Sequence, residues 1–144
     1  MTDDFFPVAN QDAADRINAW VAKSNMLQWL DFAASLKEDR LRYRLGFAER
    51  HIGNEFIRAL HGGVVSSFLQ VCAKAEILGR MKEPSALKTV SVHCDFLRPA
   101  RDMDMQAEAR IIQRGRRIAF VEVTGWHNDP TKPVGKAAIA VRLF

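Results

Sequence analysis

A chain of 144 residues with 48% apolar and 26% charged residues has the size and composition of one globular domain, residues 1–144. Its two cysteines, Cys72 and Cys94, lie in apolar patterns without the spacing of zinc ligands. We therefore expect reduced thiols, a cytoplasmic location and no metal site.

The charge is unevenly distributed along the chain. Residues 1–39 carry three Lys/Arg and seven Asp/Glu, a net −4, whereas residues 40–144 carry 18 and 10, a net +8. A basic main body favours an anionic ligand, but no nucleic-acid-binding motif is visible, so we expect no nucleic-acid partner. No apolar run is long enough to span a membrane, and the acidic start is unlike a signal peptide.

The first 39 residues read as a helical segment that precedes the core. Asn10 can cap a first helix, because apolar residues follow it at helical spacing. Ser24 and Asn25 break that helix, and the spacing over residues 26–35 predicts a second one. The strict alternation over residues 40–47 then predicts a half-buried strand, which opens the core.

A long helix is predicted over residues 61–80, and it is apolar nearly all round. Its Lys74 and Glu76 are expected to mark the face nearest solvent. It opens with His61, Gly62 and Gly63. The two glycines allow a sharp turn and the close approach of a ligand, and a helix start has unpaired N–H groups. The start is therefore a candidate oxyanion site. The alternative is that the glycines form only a tight turn before a core helix.

The rest of the chain reads as strands separated by turns. Alternating or β-branched patterns predict strands over residues 89–97, 103–112, 117–126 and 134–143. Turns are predicted around residues 83–85, 114–116 and 127–130. The sequence thus predicts an α+β fold in which a four-stranded meander joins an antiparallel sheet wrapped round one long helix.

Four short sequences in this core follow one another at characteristic distances. They are LHGG at 60–63, FLRPA at 96–100, AEAR at 107–110 and RGRR at 114–117. With them, residues 40–144 resemble the hot-dog-fold acyl-CoA thioesterases, in particular the phenylacetic-acid-degradation subgroup.

This resemblance implies a hot-dog fold, in which a curved antiparallel sheet wraps round the central helix. It also implies a homodimer that pairs two sheets edge to edge, often assembled further into a homotetramer, with active sites at the dimer interface. The implied reaction is hydrolysis of a medium-chain or aryl acyl-CoA. Coenzyme A is then part of the substrate, and no separate cofactor is expected.

The resemblance also assigns roles to individual residues. The Gly62 amide would polarise the thioester carbonyl, His61 would shape the loop rather than act as a base, and Thr89 of the other subunit would assist. The family places a carboxylate nine residues after the histidine and an amide six residues before it. Here these positions hold Gln70 and Glu55, so acid and amide are exchanged. Because an amide cannot accept a proton, we expect Glu55 to activate water and Gln70 to orient the substrate.

The coenzyme A moiety is expected to bind basic residues, since clustered arginines bind phosphates well. By resemblance, the residues that would contact it are Gly63, Arg98, Pro99, Arg114, Gly115, Arg116 and Arg117.

One other function remains open on the sequence, and a second is disfavoured. The protein could bind acyl-CoA without cleaving it, and a carboxylate beside the thioester carbonyl would distinguish the enzyme from the binder. A related hot-dog dehydratase or hydratase would need a different spacing of histidine and acid, which the sequence lacks.

Overall fold

The computed structural model describes residues 9–81 and 86–144. They form two short N-terminal helices, a curved six-stranded antiparallel sheet and one long helix. The acidic start and the turn predicted at residues 83–85 lie outside the described residues. The predicted α+β architecture is confirmed, and no described helix is long and apolar enough to cross a membrane.

Two capped helices open the described chain. Helix α1 spans Gln11–Ala22, and the Asn10 side chain accepts a hydrogen bond from its first turn at 2.9 Å, as predicted. Helix α2 spans only Asn25–Trp29 and is capped by the Ser24 side chain. Such caps satisfy amides that have no partner within the helix.

The prediction of a helix over residues 26–35 is wrong in its second half. Asp31 adopts a φ of 53°, which stops the helix, and strand β1 begins directly after it as Phe32–Lys37. Strand β1 pairs antiparallel with β2, which spans Arg40–Leu45. The apolar spacing of this segment fits a helix as well as a strand, and the antiparallel pairing with β2 stabilises the strand. The segment before residue 40 is therefore not wholly helical.

Four further strands complete the sheet. A small hairpin comes first, formed by β3 at Ile52–Asn54 and β4 at Ala59–Leu60. The four long strands then follow in chain order: β5 at Leu87–Phe96, β6 at Met105–Arg114, β7 at Ile118–Trp126 and β8 at Gly135–Leu143. The order in the large sheet is β1–β2–β6–β7–β8–β5. The predicted four-stranded meander is therefore wrong for β5, which pairs with β8 at the far edge. Alternation assigns residues to faces of a sheet but does not identify neighbouring strands.

Helix α3 spans Gly62–Arg80, in agreement with the prediction, and packs on strands β6, β7 and β8. Phe68, Leu69 and Cys72 are fully buried on it. Burial of a side chain such as Phe68 or Leu69 contributes about 1.5–3 kcal/mol to stability. The core thus lies between α3 and one face of the sheet, and it fixes the position of the start of the helix.

One charged residue of α3 does not lie where the sequence predicts. We expected Glu76 to mark the solvent-facing side, but it is buried, so that prediction is wrong. The Tyr43 hydroxyl donates to Glu76 Oε1 at 2.8 Å, and Arg80 Nε donates to Oε2 at 3.1 Å. Burial raises the pKa of Glu76, while these two donors act in the opposite direction. The carboxyl group is tolerated inside because it is hydrogen-bonded.

Candidate active site

The start of α3 leaves two backbone amides free. His61 precedes the helix, and its side chain makes no capping hydrogen bond. Its carbonyl accepts hydrogen bonds from the amides of Val64 and Val65 at 3.0 and 3.1 Å. Gly62 and Gly63 are exposed, and in the described part of the chain neither amide has an acceptor. With the positive end of the helix dipole, they can bind an oxyanion.

The ring of His61 packs against Gly53 on strand β3. A Cβ at position 53 would lie 2.6 Å from His61 Nδ1 and 2.8 Å from its Cγ, so only glycine leaves room for the ring. The His61 amide donates to the His51 carbonyl at 2.9 Å. These contacts tie the helix start to the preceding hairpin. The expectation that His61 shapes the loop rather than acting as a base stays a prediction.

Glu55 lies in the turn of the β3–β4 hairpin, and 75% of its side chain is exposed. Its Oε2 lies 3.5 Å from Arg58 Nη1. The same guanidinium donates to Glu49 at 2.8 Å and to Asp102 at 3.3 Å. The hydrogen bond from Arg58 lowers the pKa of Glu49. Glu55 thus belongs to a cluster of three carboxylates around one arginine, and its role as a base stays a prediction.

Gln70 lies two turns into α3 on a strip of half-buried polar residues. Its Nε2 donates to Ser66 Oγ at 3.4 Å, and Lys74 follows one turn later. The side chains on either side of this strip are buried in the core. Gln70 is therefore accessible from the face of α3 that the core of this protomer does not cover. An orienting role for Gln70 stays a prediction.

Thr89 and Phe96 lie near opposite ends of strand β5. Phe96 pairs with Gly135, and its ring lies 3.8 Å from the position that a Cβ on Gly62 would take. Thr89 pairs with the buried Val141, and its Oγ1 is buried without a hydrogen-bond partner among the described residues. The two residues are seven positions apart on an extended strand, a distance of roughly 23 Å. One protomer thus does not bring Thr89 to the start of α3.

The two groups of residues expected to contact coenzyme A are also far apart in one protomer. Arg98 follows β5 at the Phe96 end, beside the start of α3. The turn from Arg114 to Arg117 lies at the other end, where the Leu143 amide donates to the Arg117 carbonyl at 2.7 Å. Because Leu143 pairs with Leu87, the full length of β5, roughly 30 Å, lies between the two groups.

Arg98 and Pro99 line a pocket of about 320 Å³ that sequence reasoning did not identify. The other lining residues are Arg101, His127, Asn128, Asp129, Lys132 and Val134. Both ring nitrogens of His127 are engaged, since Nε2 accepts from the Arg101 amide at 2.8 Å and Nδ1 donates to the Asp104 carbonyl at 2.9 Å. The excess of basic side chains suits a phosphate. Residues 127–130 were interpreted only as a turn, so the sequence identified only Arg98 and Pro99 of this lining, through the resemblance.

A second pocket that sequence reasoning missed lies between α2 and the start of α3. Its volume is about 340 Å³, and it is lined by Met26, Trp29, Leu30, His61, Gly63, Val64 and Ser67. More than 30 residues separate its two sides along the chain, so no local pattern could predict it. Trp29 and Met26 were read only as part of a helix.

Comparison with known proteins identifies a matching family and similar folds. Residues 58–134, more than half of the chain, match the sequence profile of the thioesterase superfamily. The match begins just before the start of α3 and ends just before β8. No curated protein sequence matches the chain.

Several solved structures share the fold. A protein of Chromobacterium violaceum is 27% identical, with a TM-score of 0.71 over 94% of this chain and 97% of its own. A Ralstonia eutropha protein, named as a phenylacetic acid degradation-related protein, is 15% identical, with a TM-score of 0.75 over 88% of this chain and 98% of its own. A Bacillus halodurans protein solved with CoA is 15% identical, with a TM-score of 0.76 over 99% and 98%. At these identities the last two similarities concern the fold alone.

Proposed function

The chain belongs to the thioesterase superfamily, and we propose that it hydrolyses a medium-chain or aryl acyl-CoA to coenzyme A and the free acid. The observation that carries this proposal is the exposed pair of free amides at the start of α3. Charge develops on the thioester oxygen when water attacks, and fixed donors at that point stabilise the transition state more than the ground state.

In the proposed mechanism, the Gly62 amide donates a hydrogen bond to the thioester oxygen. Glu55 accepts a proton from water while the water oxygen bonds to the carbonyl carbon. The tetrahedral intermediate then collapses, the carbon–sulfur bond breaks, and the proton passes to the sulfur of coenzyme A. Gln70 and the partner's Thr89 orient the carbonyl and the water.

The alternative function is an acyl-CoA-binding protein without hydrolytic activity. Gln70 favours it, because an amide stands where the resemblance expects a carboxylate, and Glu55 is engaged with Arg58. A thiol-release assay over a panel of acyl-CoA substrates distinguishes the two. Enzymatic release of free thiol with saturable kinetics supports the hydrolase. Saturable binding of the same compounds without release of thiol would support the binder.

We also propose that the protein is a cytoplasmic homodimer or a dimer of dimers. Both cysteines are free, which suits a reducing compartment. Strand β5 pairs on one side only within the described sheet, and Val90, Phe96 and Leu97 near this edge are about half exposed. A two-fold axis that pairs β5 with its copy, antiparallel, would carry the partner's Thr89 towards the start of α3.

This assembly gives the first prediction. Light scattering at micromolar concentration should yield two or four times the 16.3 kDa mass of one chain. A monomeric mass, accompanied by full hydrolytic activity, would contradict the shared active site.

The second prediction concerns the Arg114–Arg117 turn. Replacing Arg114 and Arg116 by Ala should raise KM for acyl-CoA much more than it lowers kcat. Contacts to phosphates remote from the thioester are nearly equal in ground and transition states, so their loss weakens binding uniformly. Arg110→Ala is a suitable control, because Arg110 is an exposed arginine of β6 that pairs with Glu122 outside the turn.

The salt dependence of KM provides a second measurement. Wild-type KM should rise with ionic strength, and the double variant should lose part of that dependence. An unchanged KM with a lower kcat would show that the turn does not bind coenzyme A.

A further inference from the structure

The pocket between α2 and the start of α3 has an unusual lining for a protein surface. Met26 is 53% exposed and Trp29 is 44% exposed, although both are large apolar residues. They face Val64 and Gly63 of α3, and among the described lining residues the remaining polar groups are the side chains of His61 and Ser67 and the indole N–H of Trp29. No side chain that carries a permanent charge lines it in the described part of the chain. Such a surface suits an apolar ligand and disfavours a phosphate.

Trp29 is held in place despite its exposure. Its carbonyl accepts hydrogen bonds from Arg50 Nε at 2.8 Å and from His51 Nε2 at 2.9 Å. The indole packs edge-on against the His51 ring at 5.0 Å, and the Arg50 guanidinium lies 5.7 Å from the indole centroid. His51 is fully buried, so it anchors the indole from the inside. Trp29 is therefore a preorganised wall rather than a mobile surface side chain.

The position of the pocket favours an acyl group as its occupant. Gly63 lines it, and Gly62, the proposed donor to the thioester oxygen, is the adjacent residue. A thioester whose oxygen is bound at this amide has its acyl group within reach of an apolar pocket. The basic pocket beside Arg98 offers the charged surroundings that the phosphates of coenzyme A require. The volume of about 340 Å³ lies at the low end of the usual range of about 300–1,000 Å³ for small-molecule sites, which suits a short or medium acyl group.

We infer that this pocket receives the acyl group of the substrate and that Trp29, with Met26, sets the upper limit on its size. This inference rests on the proposed function for the identity of the ligand. It concerns specificity alone, so Trp29 and Met26 take no part in the chemical step.

The test measures chain-length preference by binding, so that it does not depend on turnover. Butyl, octyl and dodecyl thioethers of coenzyme A, which have no thioester to cleave, are titrated calorimetrically against the full-length protein. The variants are Trp29→Ala, which enlarges the pocket, and Met26→Trp, which fills it. Trp20→Ala is the matched control, because Trp20 lies on α1 outside the pocket. The same variants are then assayed for hydrolysis of the corresponding acyl-CoA compounds.

Trp29→Ala should raise the affinity for the dodecyl compound relative to the octyl compound by about tenfold or more, since a few methylenes in an apolar pocket discriminate at this level. Met26→Trp should shift the preference from octyl towards butyl by a similar factor. Trp20→Ala should leave both ratios unchanged. Free coenzyme A should bind equally to all variants, because the pocket is proposed to hold only the acyl group.

Each other outcome has a definite meaning. Unchanged ratios in Trp29→Ala and Met26→Trp, or thioethers that bind no more tightly than free coenzyme A, would overturn the inference. If Trp29→Ala does not fold, Met26→Trp decides, because it leaves the anchored indole intact. Shifted binding ratios without any hydrolysis would support the inference while removing the proposed hydrolase. Hydrolysis by variants whose chain-length preference is unchanged would support the proposed hydrolase and overturn the inference about the pocket.

Discussion

Glu55→Gln is expected to lower kcat for acyl-CoA hydrolysis by about 10²–10⁴-fold, the usual contribution of a general base, with a smaller effect on KM. Glutamine keeps the size of the side chain but cannot accept a proton. Gln70, at the position where the resemblance expects the carboxylate, cannot replace it. Thiol-release kinetics at saturating substrate measure kcat directly, and a full substrate titration gives KM.

Glu49→Gln is the matched control for this change. Glu49 and Glu55 both pair with Arg58, and Glu49 makes the shorter contact, at 2.8 Å compared with 3.5 Å. Glu49→Gln therefore perturbs the same arginine without touching the proposed base. An equal loss of kcat in both variants would assign the effect to the ion pairs and remove Glu55 from the chemistry.

The exchanged pair also permits a rescue experiment. In the Glu55→Gln background, Gln70→Glu would restore the arrangement of the family, and we expect turnover to recover in part. In the wild-type background, the same change places a second carboxylate in the site, which should raise one of the two pKa values and shift the pH profile of kcat. Unchanged turnover in Glu55→Gln alone would make the exchange hypothesis wrong.

The long helix was predictable because its apolar residues leave no wide polar face, so it had to be buried. The end of α2 was not predictable, because the apolar residues that follow it, such as Ala33 and Ala34, fit a helix as well as a strand. There the decision depends on pairing with β2, which is not encoded locally. Glu76 was misplaced for a related reason. A charged residue in a helix is predicted to face solvent unless a hydrogen-bond donor from elsewhere in the chain is known. For Glu76 that donor is Tyr43, which lies on a distant strand.

The candidate site, too, could be predicted only in part from the sequence. The free amides of Gly62 and Gly63 follow from a local motif, so the sequence alone identified them. The separation of Thr89 from Phe96 depends on the length and register of β5, and the wall formed by Trp29 depends on a contact between α2 and α3. Features that require two distant segments to meet were therefore missed. Of these features, the wall formed by Trp29 is proposed to set specificity, whereas the motif supplies the proposed oxyanion donor.

Gly62→Pro is expected to lower kcat by about 10²–10³-fold, the cost of losing one oxyanion donor, because it removes the N–H at position 62. The helix should tolerate the change. Gly62 is the first residue of α3, where proline is favoured since the amide has no partner within the helix. The preceding residue, His61, already has φ −55° and ψ 134°, the conformation that a residue before proline prefers.

Gly62→Ala is the control that retains the amide. A Cβ at this position would lie 3.8 Å from the nearest atom of the Phe96 ring, an ordinary van der Waals contact, so we expect nearly wild-type kcat. The fold should also accept Gly63→Ala, because no described atom lies within 4 Å of the added Cβ, but its methyl group would enter the proposed acyl pocket, so Gly62→Ala is the better control. Thermal unfolding of each variant verifies that the fold is intact. Equal kcat values for folded Gly62→Pro and Gly62→Ala would show that this amide does not stabilise the transition state, and the oxyanion would then require a different donor.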